Sequence, residues 1–482
     1  MALIWMLGII LIGALVLAFV GARRLAPELN IVCSAVTFIL CVFVAGRVYF
    51  EGPFITAGGF FFVDAFNVYL ALLTSFVSMT TAVFSRGYMR CERERGTVGR
   101  AGIRFYHAMF QLFIFAMLLC LVTNNIGVLW IAMELATLST VLLVSLYRTP
   151  SAVEAAWKYF ILCGVGIALA LFGTVLLYFA AERVIGQGQG ALLWTNLHRV
   201  SADLEPTVMS LAFIFFMVGY GTKVGLVPLH NWLPDAHSEG PTPISAVLSG
   251  LLLNVALYAL VRCKVLVDGA TGTDKAGYIM MAFGLLSMLV AAFSLLRQKD
   301  IKRMFAYSSI EHMGIATFAF GLGGAVATFG ALLHMLVHSL AKSALFFTAG
   351  YASQMHHTQE MTDIRGIIKG NPFVGWSMMV GTIAIAGMPP FGAFTSEFLI
   401  LTASMRDAPF LVPVFLLSIA VAFAALFRRV MPMVFGEAPR HQAQLRLEYM
   451  PIAVHMALAL LLGIYLPVFL SDWFHKAMEF LT

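Results

Sequence analysis

Long apolar stretches follow one another along almost the whole chain, and short polar segments separate them. An apolar stretch of about 20 residues can cross a hydrocarbon core of about 30 Å as an α-helix. The pattern therefore predicts an all-α polytopic membrane protein with fourteen spans, of which we expect the first run to be retained as a span and not removed as a signal peptide. The predicted spans lie near residues 2–20, 30–46, 61–84, 105–123, 126–147, 155–181, 208–229, 242–262, 277–296, 303–322, 324–351, 374–402, 411–433 and 450–471.

The composition agrees with a membrane protein, because 61% of the 482 residues are apolar and only 11% are charged. Soluble domains usually carry about 25% charged residues. The six cysteines are scattered, without a CxxC pair or a histidine at metal-ligand spacing. We therefore expect no metal or iron–sulfur centre and no cofactor in this chain.

The formal net charge of +6 is unevenly distributed over the predicted loops. If both termini lie on one side of the membrane, the opposite loops hold 19 Lys and Arg residues and the loops on the side of the termini hold 8. We call the richer side the basic side. Cytoplasmic loops carry an excess of basic residues, so the count predicts a prokaryotic inner-membrane protein with both termini on the outer side.

Two ionisable residues lie in the first half of the chain where predicted spans should be apolar. A charge at the centre of a spanning helix costs about 2.5–3.5 kcal/mol on insertion scales, so such residues usually have a use. Glu134 is either bound to a structural partner on another helix or part of an ion pathway. Lys223 lies among Gly219, Gly221 and Pro228, which predicts a broken helix at an ion site. The alternative is a lysine that snorkels to the membrane surface. A Glu134–Lys223 pair would make a switchable proton site.

Three proton carriers, His334, His338 and Lys342, recur at every fourth position of one apolar stretch. That spacing places them on one face of a helix over roughly 12 Å. A single membrane histidine is usually a structural hydrogen bonder, but three aligned groups favour a proton relay.

A second predicted helix break lies beside Glu397, which follows Gly387, two prolines and Gly392. The break near Lys223 is five spans earlier, and an odd offset places the two spans in opposite directions. This is the sequence mark of an inverted-topology repeat.

The roles of the other polar residues can be interpreted in two ways. Lys158 follows Glu154 by one turn and is either an interfacial anchor or a pathway residue. A second group, expected in the turn after Lys223, either takes up protons or caps and hydrates a loop. It contains His230, Asp235, His237 and Glu239.

At these residues the sequence resembles the antiporter-like membrane subunits shared by respiratory complex I, Mrp cation/proton antiporters and energy-converting (group 4) hydrogenases. The resemblance covers most of the chain. Its most specific segments are Trp130-Ile-Ala-Met-Glu134-Leu135, Lys158-Tyr-Phe160, residues 221–243, Asp300-Ile-Lys-Arg303 with the following residues 304–309, and residues 334–342.

The resemblance implies fourteen helices with two inverted five-helix repeats, each containing a discontinuous helix. The implied division is an N-terminal three-helix region with a basic cytoplasmic loop (1–104), a first repeat (105–265), a second repeat (266–433) and a C-terminal loop with the last helix (434–482). The resemblance also implies that Glu134 and Lys223 are a coupled pair and that Glu397 is the terminal site of the second repeat.

Asn254 departs from the family pattern, since complex I members often have a lysine or histidine in the eighth span. An asparagine does not carry a proton by titration, which puts the usual transfer from Lys223 to this position in doubt; water or His338 would have to substitute. Asn254, Glu397 and the short C-terminus are most similar to hydrogenase-4 component F and the formate hydrogenlyase membrane subunit.

We therefore expect a non-catalytic, proton-translocating subunit of a redox-driven complex. Its partners would be other antiporter-like and anchor subunits, membrane lipid and peripheral cytoplasmic subunits that hold the iron–sulfur centres and a NiFe or flavin group; no nucleic-acid partner is expected. Alternatives are an Mrp-type antiporter subunit, a complex I-type NADH–quinone oxidoreductase subunit, an energy-coupling partner for inorganic-carbon uptake and a scaffold. Few carboxylates lie deep enough to bind sodium, which disfavours the antiporter.

Overall fold

A computed structural model describes residues 1–437 and 448–481. Two arginines counted above on the basic side, Arg440 and Arg446, lie outside this described part. The described chain folds into α-helices with one two-stranded antiparallel hairpin, β1 (Phe54–Thr56) and β2 (Phe61–Val63). The all-α polytopic fold is thus confirmed.

The α-helices are numbered in chain order. They are α1 (Ala2–Val20), α2 (Ala26–Glu51), α3 (Ala65–Glu94), α4 (Arg100–Val122), α5 (Ile126–Val144), α6 (Pro150–Ile185), α7 (Trp194–Arg199), α8 (Pro206–Val224), α9 (Trp232–Glu239), α10 (Thr242–Val247), α11 (Leu253–Thr271), α12 (Lys275–Leu295), α13 (Ile301–Leu322), α14 (Gly324–His356), α15 (Ile367–Gly370), α16 (Pro372–Ile385), α17 (Gly392–Asp407), α18 (Val412–Phe435), α19 (Met450–Ile464) and α20 (Val468–Met478).

Each of the fourteen predicted spans coincides with a helix or a divided helix. Among the described residues, eleven helices are long and apolar enough to cross a membrane, and α19 with α20, bent by 82°, makes a twelfth if the two are one span. The other two predicted spans are α13, which carries Glu311 and His312 in its middle, and the pair α16 and α17, whose first member has 14 residues. The number fourteen stays a prediction.

Both predicted helix breaks are confirmed. Helix α8 ends at Val224, followed by Gly225 with φ of 81°, and α16 is separated from α17 by a segment in which Gly387 has φ of 65°. Glycine adopts such positive φ values without the steric cost that a Cβ would bring.

The turn expected after Lys223 is wrong as a description of residues 232–239. These residues form the eight-residue helix α9, whose Trp232, Leu233 and His237 are fully buried. A proline at position 234 is compatible with a helix because it falls in the first turn, where its missing N–H is not needed. A five-residue π-helical stretch then joins α10 to α11.

The eight Lys and Arg residues counted above in loops on the side of the termini include Arg262, and placing this residue in a loop is wrong. It lies in α11, is 3% exposed and forms an ion pair with Asp64, the N-cap residue of α3. The guanidinium is surrounded by aromatic rings and lies 4.4 Å from the Trp194 ring centroid. The sequence prediction extended the span only to the first charge, although this charge has a buried partner.

Helix α14 lies at the centre of the fold and contacts α3, α10, α13, α16, α17, α19 and α20. Its neighbour α13 is held closely against α12 by paired glycines. A Cβ on Gly284 would lie 2.7 Å from the Gly314 carbonyl oxygen, so only small residues permit this approach. The paired glycines therefore bring α12 and α13 into close contact. The domain boundaries suggested at residues 104 and 265 fall inside α4 and α11.

Candidate functional site

Buried titratable side chains gather in two places inside the helix bundle. We call the first the lysine cluster; its members are Glu134, Tyr159, Cys163, Lys223 and Trp232. We call the second the histidine cluster; its members are Glu311, His312, His334, His338, Lys342, Ser396 and Glu397.

Lys223 is fully buried in the last turn of α8, so the snorkelling alternative is wrong. Its Nζ donates to the Tyr159 hydroxyl oxygen at 3.3 Å, and the ammonium lies 4.9 Å from the Tyr159 ring centroid. The Tyr159 ring stacks on Trp232 with 4.4 Å between centroids, while the Tyr159 hydroxyl is 2.7 Å from Thr140 Oγ1. A buried ammonium therefore has a hydroxyl and two aromatic faces as its environment.

The break after Lys223 is supported by Trp232. Its indole Nε1 donates to the carbonyl oxygen of Thr222 at 2.8 Å, which also accepts from the Gly225 N–H at 3.1 Å at the end of α8. The helix end, the stacked ring of Tyr159 and the lysine thus form one packed unit.

Glu134 lies on α5 and is half-buried. Its carboxylate is close enough to Lys223 to interact electrostatically, but no ion pair within 4.0 Å joins these two described residues. One carboxylate oxygen, Oε2, is buried and has no hydrogen-bond partner in the described chain. Cys163 on α6 is within electrostatic reach of both groups. Glu134 and Lys223 are therefore close to each other but do not form an ion pair.

The predicted stripe on α14 is confirmed: His334, His338 and Lys342 are each at most 1% exposed and lie on one helix. Helix α13 adds His312, whose Nδ1 is 3.1 Å from His334 Nε2. The His312 ring centroid also lies 5.7 Å from that of His338. Both ring nitrogens of His338 have no hydrogen-bond partner among residues 1–437 and 448–481.

Helix α17 completes the histidine cluster with two adjacent residues. Ser396 Oγ is 2.9 Å from His334 Nδ1, and Glu397 Oε1 is 4.0 Å from His312 Nδ1. On the other side of the ring, His312 Nε2 is 3.5 Å from Glu311 Oε2. The cluster thus joins α13, α14 and α17 through a row of proton donors and acceptors.

Lys342 lies one turn beyond His338 and is fully buried. Its Nζ donates to the carbonyl oxygen of Phe305 at 3.2 Å, and Glu311 is within electrostatic reach. The histidine cluster therefore contains one buried lysine, Lys342, and two buried carboxyl groups, Glu311 and Glu397.

Three residues of the histidine cluster also have the arrangement of a possible metal site. One ligand atom from each of His312, His334 and Glu397 lies within 4.8 Å of the other two. Two imidazoles and a carboxylate form a donor set that suits Zn²⁺. The sequence argument considered cysteine and histidine spacing along the chain and did not anticipate this group.

Asn254 lies at the start of α11, against α14. Its amide nitrogen donates to Ser339 Oγ at 2.7 Å and to the Met335 carbonyl oxygen at 3.1 Å. Its Oδ1 is buried and has no partner among the described residues. The amide therefore ties α11 to the face of α14 next to His338 and offers an acceptor, but no titratable group.

The remaining predicted residues lie on the basic side of the clusters. Lys158 is half-exposed on the outer face of α6, where it pairs with Glu154 at 2.7 Å and with Asp235 at 3.3 Å. Asp235 also pairs with Arg303 at 2.5 Å. This network lies apart from Lys223, since the next residue of α6, Tyr159, faces inward instead. The structure does not bring Lys158 into either cluster.

His230 and His237 are both buried. The His230 ring makes an edge contact with Tyr307, with 6.2 Å between centroids, and the His237 ring stacks on Phe346. Both nitrogens of His237 are without a partner in the described chain, and Lys302 and Lys342 are within its electrostatic reach. His237 thus lies between a basic-side lysine and the histidine cluster.

Tyr159, Glu311 and His312 were missed by the sequence analysis. Glu311 and His312 interrupt the apolar stretch of α13, so the same rule that identified Glu134 applied to them as well. Tyr159 has no such signal, because a tyrosine in a membrane helix is common.

Comparison with known proteins agrees with this architecture. Residues 123–426 match the family described as NADH:quinone oxidoreductase/Mrp antiporter, transmembrane. The chain is 48% identical over 463 residues to the hydrogenase-4 component F homolog of Methylacidiphilum infernorum, with 96% of each chain covered.

Two solved structures have a similar fold. A chain of an archaeal membrane-bound sulfane sulfur reductase is 25% identical with a TM-score of 0.90, covering 99% of this chain and 97% of that one. A chain of the Mrp complex from Dietzia sp. DQ12-45-1b is 18% identical with a TM-score of 0.83, covering 100% and 96%.

Proposed function

This chain belongs to the NADH:quinone oxidoreductase/Mrp antiporter transmembrane family, and we propose that it translocates protons as the membrane subunit of a redox-driven, hydrogenase-4-type complex. The observation that carries this proposal is the histidine cluster, in which three buried helices bring carboxylates, imidazoles and a lysine together. Such a concentration of titratable groups inside an apolar bundle is costly, and proton relays are a use that offsets the cost.

In the proposed relay, a proton reaches one ring nitrogen of a histidine while another leaves from the opposite nitrogen. The 3.1 Å hydrogen bond between His312 and His334 provides one such step across two helices. Ser396 and Glu397 then continue the row on α17. Helix packing keeps His312, His334 and Ser396 within hydrogen-bonding reach, and Glu397, 4.0 Å from His312, would have to move closer before transfer.

In the lysine cluster, we propose that Lys223 stores a proton and Glu134 controls its release. Approach of the carboxylate stabilises the charged lysine, whereas separation leaves an ammonium in an apolar environment and favours release. The present gap between the two groups supports a movable pair. Asn254 does not titrate, so water or His338 would carry the proton past it to the histidine cluster.

Protons would be taken up from the basic side through a cavity of about 520 Å³. Glu92 and Glu239 line it, and Lys302, whose Nζ donates to the Gly240 carbonyl oxygen at 2.8 Å, lies behind it. His237 follows between Lys302 and Lys342. The charge bias of the loops supports a cytoplasmic position for this side and outer positions for both termini.

The 48% identity with a hydrogenase-4 component F homolog supports a hydrogenase-type assembly over a cation/proton antiporter. In that assembly, peripheral subunits would hold the redox centres and other antiporter-like subunits would lie beside this chain. The division into two inverted repeats belongs to the same proposal.

The test is proton uptake into vesicles that contain the purified complex. We expect Lys223→Ala and Glu134→Ala to abolish redox-driven uptake while the complex still assembles, and Lys275→Ala, an exposed lysine at the start of α12, to pump normally. Normal pumping by the first two variants removes both residues from the pathway. Sodium-stimulated proton exchange, in a complex that contains no iron, nickel or flavin, overturns the redox assignment.

A further inference from the structure

A second cavity, of about 310 Å³, lies on the basic side and away from both clusters. It is formed where the turn between α1 and α2 meets the last turns of α3 and the first turns of α4. Its charged and polar lining consists of Arg23, Arg24, Glu28, Arg86, Arg90, Arg93 and His107.

Five arginines and one glutamate leave this cavity strongly positive. Arg86 is the partly neutralised member, because it pairs with Glu448 at 2.9 Å and lies 3.9 Å from Glu28. The guanidinium groups of the other four arginines make no hydrogen bond and no ion pair with residues 1–437 or 448–481. Four guanidinium groups around one cavity repel each other unless an anion lies between them.

His107 gives an independent indication that a ligand belongs here. It lies on α4, lines the cavity and is 1% exposed, yet both ring nitrogens lack a hydrogen-bond partner in the described chain. Buried polar groups are nearly always hydrogen-bonded. A buried imidazole without a partner in the protein therefore indicates that a ligand supplies the hydrogen bond. An oxygen acceptor in the cavity would satisfy a ring N–H.

The position of the cavity indicates which anion it takes. Arg23 and Arg24 are flanked in sequence by two strongly exposed apolar side chains, Phe19 at 81% and Leu25 at 75%. Phe19 belongs to the end of the apolar helix α1, so the cavity lies at the edge of the hydrocarbon region. An anion with an attached acyl chain can satisfy the arginines and cover these apolar side chains at the same time.

We propose that this cavity binds the phosphate of an anionic phospholipid from the leaflet on the basic side. The planar guanidinium fork matches phosphate oxygens in a bidentate manner, and His107 supplies a further donor from the protein interior. The site would anchor α1 and α2 to the rest of the bundle through a lipid, independently of the proton pathway.

The test uses the complex purified in a mild detergent and measures retained and exchanged lipid by native mass spectrometry. Vesicles of phosphatidylglycerol, vesicles of phosphatidylcholine and free inorganic phosphate are offered in separate arms. We expect the wild-type complex to take phosphatidylglycerol preferentially, and Arg23→Gln with Arg24→Gln to weaken this binding by about thirtyfold, about fivefold for each charge removed.

Two control pairs separate charge from folding. Arg23→Lys with Arg24→Lys keeps both charges and should retain the lipid preference. Arg297→Gln with Arg428→Gln removes two exposed arginines of the same side that do not line the cavity, and should bind as wild type does. Equal lipid binding by the Arg23/Arg24 glutamine variant and the wild type overturns the proposal. So does tight binding of free phosphate without any lipid preference, or protection of the cavity by an acidic segment of another subunit.

Discussion

His312 Nδ1 on α13 and His334 Nε2 on α14 are 3.1 Å apart, and this contact fixes how the two rings can share protons. Ser396 has one hydroxyl hydrogen, which it can donate to the Ala393 carbonyl oxygen at 2.9 Å. Its oxygen then accepts from His334 Nδ1–H, which leaves His334 Nε2 as the acceptor for His312 Nδ1–H. The order of donors therefore runs from His312 through His334 to Ser396.

The first prediction concerns this contact. His312→Ala should lower redox-driven proton uptake by about a hundredfold, because a positioned acid–base group typically contributes a factor of about 10² to 10⁴. The assembled complex should still form, which native gel electrophoresis would check.

The matched control is His455→Ala, which removes a buried histidine of α19 that bonds Thr80 and the Leu340 carbonyl oxygen outside the cluster. It should affect stability more than uptake. Equal uptake by the His312 and His455 variants would show that the contact between α13 and α14 carries no protons.

Most of the fold could be predicted because the bilayer imposes it: apolar segments of spanning length become helices, and a glycine or proline beside a charge breaks them. The stripe on α14 was predictable for the same local reason, since residues at i, i+4 and i+8 share one helix face. Lys223 and Glu397 were found from their unusual sequence surroundings.

The rest depends on contacts between helices, and no local pattern contains them. His312 joins the stripe because α13 packs directly against α14, as well as against α12 through paired glycines. Arg262 is buried because Asp64, far away in sequence, lies opposite it. Helix α9 is stabilised because its apolar side chains are buried against neighbouring helices. A single sequence gives the periodicity of each helix but not its neighbours.

The second prediction concerns Tyr159, the hydrogen-bond acceptor of Lys223. Tyr159→Phe keeps the ring and its stacking on Trp232 but removes the hydroxyl oxygen. Hydrogen bonds to charged groups are worth about 1.5–3 kcal/mol, so we expect proton uptake to fall by at least about tenfold. Tyr278→Phe, at an exposed tyrosine of α12, is the control and should leave uptake unchanged. Wild-type uptake in the Tyr159 variant would mean that Lys223 holds its proton without this bond.

The third prediction uses the helix break before α17. A Cβ on Gly387 would overlap Glu397 Oε2, and the residue has φ of 65°. Gly387→Ala should therefore displace the Glu397 carboxylate and reduce uptake strongly. Gly323→Ala is a close control, because Gly323 has φ of 70° but no atom within 4 Å of the added Cβ. Both variants place an alanine at a similar positive φ, so a larger loss of vesicle uptake in the Gly387 variant reports the position of Glu397. If the two variants lose uptake equally, strain alone explains the loss.

The fourth prediction concerns the buried ion pair between Asp64 and Arg262, which links α3 to α11. Asp64 also accepts hydrogen bonds from the backbone N–H groups of Phe66 at 3.0 Å and Asn67 at 2.9 Å. Asparagine caps helices as well as aspartate does, so Asp64→Asn removes the charge and leaves the cap. Removal of one partner from a buried pair costs about 3–5 kcal/mol, and we expect thermal unfolding in detergent to occur several degrees lower.

A double variant tests whether the lower unfolding temperature of Asp64→Asn comes from the unpaired charge of Arg262. With Arg262→Met added, neither charge remains, and an apolar side chain fills the space among the surrounding aromatic rings. The unfolding temperature should then recover part of the loss, since replacement of both ions by neutral groups is often close to neutral. If the double variant instead loses the sum of the two single losses, the two residues act independently, and the pair does not couple α3 to α11.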